Sequence, residues 1–162
     1  EEKTNCETLM GDKTPIDIIS MKIKDGEEIN IDGIKLKALH TPGHTIESFS
    51  FAMVDRIFTG DTLLIGSTGR TDFQNGSSHD AYHSLFNKLL KLPETTLVFP
   101  AHDYNGKKYS TIENEKNNNP RLQVKSAEEY AEMMNSLNLE FPKTIDIAVP
   151  ANIKGFTLDQ IN

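Results

Sequence analysis

The sequence contains a single cysteine, Cys6, no tryptophan and no long run of apolar residues. One cysteine cannot form an internal disulfide, so the fold must depend on its hydrophobic core rather than on covalent cross-links. No stretch approaches the ~20 consecutive apolar residues that a membrane-spanning helix needs, and no signal-peptide pattern is visible. These absences predict a reduced, cytoplasmic protein without a membrane partner.

Positive charge is also scarce. The chain has 17 lysine and arginine residues and 24 aspartate and glutamate residues, which gives a formal net charge of −7. Nucleic acids and anionic membranes attract proteins mainly through basic surfaces, so this balance argues against a nucleic-acid partner. The 162 residues fit one domain, and the modest hydrophobic fraction of 36% suggests a thin or incomplete core.

The first sixty residues are predicted to be mostly β. Alternating or β-branched residues indicate strands at 16–23, 29–31 and 34–39 and a hairpin over 48–59. Asp32-Gly33 separates two of these strands, and Asp-Gly is a strong signal for a two-residue hairpin turn.

The remainder of the chain is predicted to be mostly helical. A helix over 78–92 is indicated by apolar residues three and four apart, namely Tyr82, Leu85, Phe86, Leu89 and Leu90, with Ser77 or Ser78 as its cap and Pro93 after its end. Capping-box spacings, Ser110 with Glu113 and Ser126 with Glu129, predict helices over about 110–117 and 126–137. Short strands are predicted at 96–99 and 145–149. The order indicates an α+β fold, one mixed sheet with helices packed on a face.

Three predicted strands are followed by turns rich in polar residues, namely His40-Thr41-Pro42-Gly43-His44-Thr45, Thr59-Gly60-Asp61-Thr62 and Pro100-Ala101-His102-Asp103-Tyr104. Loops that leave one sheet edge can direct their side chains at a common point. Imidazole and carboxylate groups bind divalent metals, so His44, Asp61 and His102 are candidate ligands. Gly43 and Gly60 would allow close backbone approach. The spacing alone is no metal signature, and structural hydrogen bonds of these histidines remain the alternative.

Other polar residues have simpler interpretations. His79 and His83 are four apart on the predicted helix and are expected to face solvent. His40 is expected to make a structural hydrogen bond, and Asp103 is expected to brace the loop of His102. Cys6 has no neighbouring base in the sequence, so it is not expected to act as a nucleophile.

Six sequence blocks together resemble a known family: Thr41-Pro42-Gly43-His44-Thr45, Phe58-Thr59-Gly60-Asp61-Thr62-Leu63-Leu64, Gly69-Arg70-Thr71-Asp72-Phe73-Gln74, Pro100-Ala101-His102-Asp103-Tyr104-Asn105-Gly106, Asn119-Pro120-Arg121-Leu122 and Ala148-Val149-Pro150-Ala151-Asn152. They resemble the metallo-β-lactamase superfamily and, within it, the persulfide dioxygenase (sulfur dioxygenase) branch, which is related to glyoxalase II. The resemblance extends from about residue 17 to residue 152.

This resemblance implies an αββα sandwich with a metal at the sheet edge. It matches His44 and Asp61 to two of the three protein ligands of a mononuclear iron, Fe(2+), with Zn(2+) as the alternative metal. It matches His102 to the histidine that completes a second metal site in glyoxalase II, so His102 is a second-site ligand or a residue behind the first site. Arg70 and Tyr104 match positions that line the pocket for a glutathione-type thiol.

The activity implied by the resemblance is a non-haem iron dioxygenase that oxidises glutathione persulfide-type substrates to sulfite. The first alternative is a glyoxalase II-like hydrolase that cleaves thioesters with two metal ions. The second is an inactive fragment or binding module. The partners implied are a small-molecule thiol or persulfide and, as an open possibility, a second copy of the chain in a homodimer.

The superfamily's His-x-His-x-Asp-His motif does not occur in this sequence. In the family it precedes the blocks that are matched here, and it supplies the third iron ligand. Residues 1–162 are therefore expected to form a single metallo-β-lactamase-like domain that lacks its N-terminal half. Alone, such a chain is expected to bind iron weakly and to be inactive, because lost ligands reduce metal affinity.

Overall fold

A computed structural model describes residues 6–16, 18–73, 75–140 and 143–156. The strands in this part of the chain are β1 (Leu9–Gly11), β2 (Met21–Ile23), β3 (Glu28–Ile31), β4 (Ile34–His40), β5 (Phe49–Ala52), β6 (Arg56–Gly60), β7 (Leu63–Leu64), β8 (Ser67–Thr68), β9 (Leu97–Pro100) and β10 (Ser110–Thr111). The α-helices are α1 (Ser78–His83), α2 (Ile112–Asn118), α3 (Ala127–Asn135) and α4 (Ile145–Lys154).

The central sheet has six strands in the order β10-β9-β6-β5-β4-β3. Neighbouring strands in this sheet are antiparallel except for β6 and β9, which are parallel. A parallel pair needs a crossover connection, and the helical segment that begins with α1 lies in that connection. The predicted mixed sheet with helices on a face, an α+β fold, is confirmed.

Both predicted hairpins are present. Asp32 and Gly33 have positive φ angles of 49° and 89°, as a two-residue hairpin turn of type I′ requires, and they join β3 to β4. In the second hairpin, Phe51 of β5 lies opposite Phe58 of β6. The strand predicted over 16–23 is shorter than expected, since only β2 forms. It pairs in parallel with β1, which the sequence pattern did not reveal.

The helix predicted over 78–92 is confirmed, but it is not regular. The Ser77 side chain caps α1 by accepting a hydrogen bond from the Asp80 amide. The helix then continues as a π-helical turn and a 3₁₀ turn that ends at Lys91. Leu85 and Leu89 lie in these turns and are fully buried, so the irregular turns keep the apolar side chains on the core side.

The strand predicted over 145–149 is wrong, because these residues begin helix α4. The helix ends at Gly155, whose left-handed φ of 64° is typical of a residue that terminates a helix. A short, mostly apolar run of five residues does not distinguish a strand from a helix, which explains the error.

The predicted cap of α2 is also wrong by one residue. Thr111, not Ser110, accepts the hydrogen bond from the Asn114 amide. Ser110 instead belongs to β10, and its hydroxyl donates to the buried carboxylate of Glu115. By contrast, Ser126 caps α3 by accepting from the Glu129 amide, as predicted.

The core lies between the central sheet and the helices. Ile57 of β6 and Val98 of β9 are fully buried against the helical segment and against Tyr130 of α3. Within the described residues, no helix has the length and apolar character needed to cross a membrane. The packing of the helices against the sheet therefore supports strands β6 and β9, which end at the same sheet edge as β4.

Candidate metal and substrate site

His44, Asp61 and His102 follow β4, β6 and β9, respectively. These three strands run in the same direction, because β6 and β9 are parallel and β4 is separated from β6 by one antiparallel strand. Their carboxyl ends therefore meet at one edge of the sheet. The sheet topology brings together three residues that are far apart in the sequence.

Asp61 lies between the two histidines. Its Oδ2 is 3.7 Å from Nε2 of His44, and its Oδ1 is 3.1 Å from Nδ1 of His102. The three side chains are partly exposed, with His102 the most exposed of them at 41%. The arrangement places two imidazoles on either side of one carboxylate, at the base of a cavity.

The carbonyl oxygen of Arg70 selects the tautomer of His44. Nδ1 lies 2.9 Å from the carbonyl oxygen of Arg70, and a carbonyl can only accept, so Nδ1 carries a hydrogen. In the neutral ring Nε2 then presents its lone pair toward Asp61. Metal-binding histidines commonly donate their other ring N–H to a backbone carbonyl in this way.

Asp61 has an unsatisfied oxygen. Oδ1 is buried and has no hydrogen-bond partner; the nearby Nδ1 of His102 is close enough for an ion pair but is not aligned as a hydrogen bond. A buried carboxylate oxygen without a partner is unfavourable, and a cation at this point would satisfy it. The donor set thus fits a divalent metal ion.

The set is not a complete metal site as it stands. Within the described ranges, no group of three or more histidine, cysteine, aspartate or glutamate side chains has the arrangement that would hold a metal ion. Nε2 of neutral His44 and Oδ2 of Asp61 are both acceptors and lie 3.7 Å apart. They repel each other, whereas a cation between them would attract both.

A buried hydroxyl cluster joins the loops that carry His44 and Asp61. The hydroxyls of Thr41 and Ser50 are 2.9 Å apart, and the Thr62 hydroxyl lies 3.1 Å from the Thr41 carbonyl and 3.2 Å from its hydroxyl. All three residues are buried. The hydroxyls therefore set the distance between the two loops.

We expect Thr41→Val to lower the free energy of unfolding by about 1–3 kcal/mol, because it leaves the buried hydroxyls of Ser50 and Thr62 short of a partner. It should also weaken metal binding, since the loops lose a direct connection. Denaturant unfolding and metal titration would measure both. Thr111→Val, which removes a helix cap far from the loops, should lower stability but leave metal affinity unchanged.

The glycines of these loops act in different ways. Gly43 packs against Ala81 of α1 so closely that a Cβ would overlap its backbone, which confirms the expected close approach. Gly60 instead supplies a left-handed φ of 53° before Asp61, with little crowding. Gly69 was not singled out from the sequence, although a Cβ there would collide with the carbonyl oxygen of Asp61.

A cavity of about 300 Å³ opens beside the three candidate ligands. Its wall includes both residues proposed from the sequence for substrate binding, Arg70 and Tyr104, together with Arg121. The volume is at the small end of ligand pockets. The cavity therefore joins the candidate metal position to two arginines.

Arg70 is held by neighbours within the chain. Its Nε and Nη2 donate to the two carboxylate oxygens of Asp72 at 2.7 and 2.6 Å, and Nη1 donates to the Glu140 carbonyl at 2.9 Å. This pairing raises the pKa of Arg70 and lowers the pKa of Asp72. The guanidinium also lies 4.0 Å from the centre of the Phe73 ring. Two of the guanidinium nitrogens that could otherwise pair with a substrate carboxylate are therefore occupied by Asp72.

Arg121 is the less engaged arginine of the cavity. Its Nη1 donates to the Thr68 carbonyl at 2.5 Å, and within the described residues no carboxylate forms an ion pair with it. Burial lowers its pKa, as expected for a cation that is partly removed from water. The sequence placed Arg121 in the Asn-Pro-Arg-Leu block but contained no signal that it would reach the cavity.

His79, His83, His40 and Asp103 lie as the sequence predicted. His79 and His83 are exposed, and His40 Nε2 donates to the Ile46 carbonyl at 2.7 Å. Asp103 braces its loop, because its Oδ2 accepts from two backbone amides, those of Asn105 and Lys107.

Tyr104 is largely exposed, and its ring lies edge-to-face with the ring of His102, with 4.8 Å between the ring centres. Gln74, the last residue of the Gly69-Arg70-Thr71-Asp72-Phe73-Gln74 block, is outside the described residues.

The fold brings two imidazoles and one carboxylate together at one edge of the mixed sheet. The model of the metallo-beta-lactamase superfamily matches residues 7–102, which is more than half of the chain. The chain belongs to the metallo-β-lactamase superfamily.

Individual relatives refine this similarity. The chain is 46% identical to the mitochondrial persulfide dioxygenase ETHE1 of Bos taurus over 134 residues, which are 82% of this chain and 52% of the relative. It is 37% identical to the hydroxyacylglutathione hydrolase GloC of Haemophilus influenzae over 105 residues, 64% of this chain and 48% of that protein. Thus the chain spans about half the length of these curated relatives.

A solved structure supports the same similarity. The crystal structure of ETHE1 from Myxococcus xanthus superposes with a TM-score of 0.92 at 42% identity, covering 96% of this chain and 69% of that one. The resemblance to persulfide dioxygenases that the sequence blocks indicated is confirmed.

Proposed function

We propose that the protein is a persulfide dioxygenase that uses iron to oxidise a glutathione persulfide-type substrate. The observation that carries the proposal is the cluster of His44, Asp61 and His102 at the sheet edge, with an unsatisfied Asp61 oxygen beside a cavity that contains Arg121. The identity of 46% to a protein named persulfide dioxygenase supports it. The activity belongs to the complete protein, since the chain spans about half of that relative.

In this proposal the chain supplies ligands and a substrate pocket. Nε2 of His44 and the carboxylate of Asp61 would hold iron, and His102 would stand behind them or bind a second ion. The bound iron would supply open positions for a sulfur ligand and O₂, together with the ability to change oxidation state. The overall reaction is persulfide plus O₂ and water to thiol, sulfite and two protons, in which O₂ is reduced and the outer sulfur is oxidised.

Substrate recognition falls to Arg121 and Tyr104. Arg121 presents a half-buried guanidinium without a described carboxylate partner, and a substrate carboxylate would pair with it. The Tyr104 hydroxyl can donate to the substrate at the mouth of the cavity. Arg70 holds the wall instead, because its carbonyl binds His44 and its side chain is anchored by Asp72.

We expect Arg121→Met to raise the KM for glutathione persulfide about 10- to 100-fold with little change in kcat, because a charge-assisted hydrogen bond contributes about 1.5–3 kcal/mol to binding. Steady-state oxygen uptake would measure both constants. A small persulfide without carboxylates provides the control and should lose little affinity. An equal loss for both substrates would contradict this role.

The thioester hydrolase remains the second candidate. The contact of His102 with Asp61 favours it, because a carboxylate between two histidines can bridge two metal ions. The similarity to the hydrolase GloC supports the same alternative.

Metal content and substrate choice separate the candidates. The complete protein should purify with about one iron per chain and consume O₂ when glutathione persulfide is added. Replacement of iron by zinc should abolish this turnover, because zinc does not change oxidation state. Two zinc ions per chain with thioester cleavage and no O₂ uptake would overturn the dioxygenase proposal. A cytoplasmic location, a homodimer and a missing N-terminal half of the domain stay predictions.

A further inference from the structure

Glu115 of α2 is a buried carboxylate that lies outside the metal cluster. Its side chain is fully buried. Oε1 accepts from the Ser110 hydroxyl at 2.6 Å and from Asn114 Nδ2 at 3.2 Å. Oε2 accepts from the Gly66 amide at 2.9 Å and from Asn119 Nδ2 at 2.8 Å. Four donors thus surround one carboxyl group in the interior.

The Oε2 side reaches the wall of the cavity. Gly66 is at the tip of the β7–β8 hairpin, where its φ is 67°, and the hairpin residues Ser67 and Thr68 line the cavity. Asn119 continues the connection, because its Nδ2 also donates to the Ser67 carbonyl at 2.9 Å. One carboxylate is therefore tied to the hairpin both directly and through Asn119.

The same network reaches Arg121. Oδ1 of Asn119 accepts from the Arg121 amide at 3.1 Å, and the Arg121 side chain donates to the Thr68 carbonyl. The backbone of Arg121 is thus bonded to Asn119, and its guanidinium is bonded to the β7–β8 hairpin. Glu115 accepts hydrogen bonds from both Asn119 and that hairpin. On the Oε1 side, by contrast, the hydrogen bonds within the described part of the chain come from Ser110 and Asn114 of the adjoining strand and helix.

We propose that Glu115 is a positioning residue that, through Asn119 and the hairpin, sets the place of Arg121 in the cavity and so the affinity for a ligand carboxylate. This inference rests on the proposed function for the nature of the ligand. The acceptor must be on Glu115, because the backbone N–H of Gly66 and the Nδ2 of Asn119 can only donate. A buried donor that loses its acceptor is unfavourable, so the hairpin would shift to find another.

The two sides of the carboxylate differ in chemistry, which allows a sharp test. On the Oε1 side the Ser110 hydroxyl can turn and accept, and Asn114 Nδ2 can keep its bond to Ser110 Oγ at 2.9 Å, whereas the Gly66 amide can only donate. Glu115→Gln can therefore keep its oxygen toward Gly66 and Asn119 and turn its amide toward Ser110. Asn119→Ala removes the link to Ser67 and Arg121, and Ser110→Ala removes a bond only on the far side and serves as the matched control.

The experiment measures glutathione binding by calorimetry and oxygen uptake with glutathione persulfide, in the complete iron-loaded protein. Asn119→Ala should weaken glutathione binding about 10-fold, with kcat and bound iron within about 2-fold of native, as for one lost hydrogen bond to a charged group. Glu115→Ala, which removes the acceptor of both the Gly66 amide and Asn119 Nδ2, should weaken glutathione binding at least as much as Asn119→Ala. Ser110→Ala should stay within about 3-fold of native, and so should Glu115→Gln, which keeps an acceptor oxygen on that side. Hydrogen exchange of the 66–68 amides should be faster in Asn119→Ala and unchanged in Ser110→Ala.

The outcomes separate this inference from the proposed function. If the native protein binds glutathione but takes up no oxygen, the dioxygenase proposal fails. The glutathione affinities of the variants would still test the role of Glu115. If Asn119→Ala and Ser110→Ala lower the melting temperature alike and neither changes glutathione affinity, Glu115 has only a structural role and the inference fails. Loss of affinity in Glu115→Gln as large as in Asn119→Ala, or absence of glutathione binding by the native protein, would also overturn it.

Discussion

Replacing Asp61 with asparagine in the complete protein is expected to weaken metal binding by at least ~100-fold, since changes even to residues behind a metal ligand cost 10- to 100-fold. Oxygen uptake should fall to background. The reason is that the amide keeps the shape of the carboxylate but loses its charge and one of its two acceptor oxygens. Metal titration with spectroscopic detection of iron would measure the loss.

The metal-free form of this variant should behave differently. The Asp61 carboxylate faces the Nε2 lone pair of His44 and has one buried oxygen without a hydrogen bond. An amide group can donate to His44, so Asp61→Asn should be at least as stable as the native protein when no metal is bound. Opposite effects on metal affinity and on metal-free stability distinguish a ligand from a structural carboxylate.

Asp103→Asn is the matched control for this variant. Asp103 also lies on a loop at the sheet edge, but its Oδ2 accepts only from backbone amides. Its substitution should reduce stability slightly and leave metal affinity near the native value. Full metal occupancy in Asp61→Asn, or an equal loss in both variants, would refute the role of Asp61.

Gly69→Ala is expected to lower the free energy of unfolding by about 3 kcal/mol, at the upper end of the usual cost of overpacking. A Cβ at residue 69 would overlap the Asp61 carbonyl oxygen and approach Cβ of His44 to 3.2 Å. Because both neighbours belong to the metal cluster, the strain should also displace the ligands. Denaturant unfolding and metal titration would report the two effects.

Gly26→Ala provides the comparison. Gly26 has a positive φ of 83°, but a Cβ there meets no atom within 4 Å. Its substitution should cost about 1–2 kcal/mol, the strain of a left-handed backbone, and leave metal binding intact. If Gly69→Ala retained native metal affinity, the close contact between this loop and Asp61 would not be needed for the site.

Local patterns predicted those elements whose cause is local. The β3–β4 hairpin follows from Asp32-Gly33, since few residues other than glycine and asparagine or aspartate adopt positive φ in a turn. The helical segment 78–91 follows from its apolar spacing and from Ser77. The segment 145–149 was predicted as a strand but begins helix α4, because this short run has no feature that separates helix from strand.

The sequence also indicated which side chains form the candidate site, but not their contacts. His44, Asp61 and His102 were identifiable as polar residues after strands, and the family resemblance assigned them to a metal. Arg70 was expected to line the substrate pocket; it lines the cavity, and its guanidinium is paired with Asp72. This pairing depends on how the loop after β8 turns, and nothing in the residue types determines that turn.

The sequence by itself determined the hairpins, the main helix, the chemical identity of the candidate ligands and the resemblance to the superfamily, because each depends on neighbouring residues or on ordered motifs. Only the tertiary structure decided that Arg121 reaches the cavity and that Glu115 lies behind it. The physical reason is that these contacts join residues about fifty positions apart, such as Gly66 with Glu115 and Thr68 with Arg121. Such distances are set by how the sheet and helices pack, which no local pattern encodes.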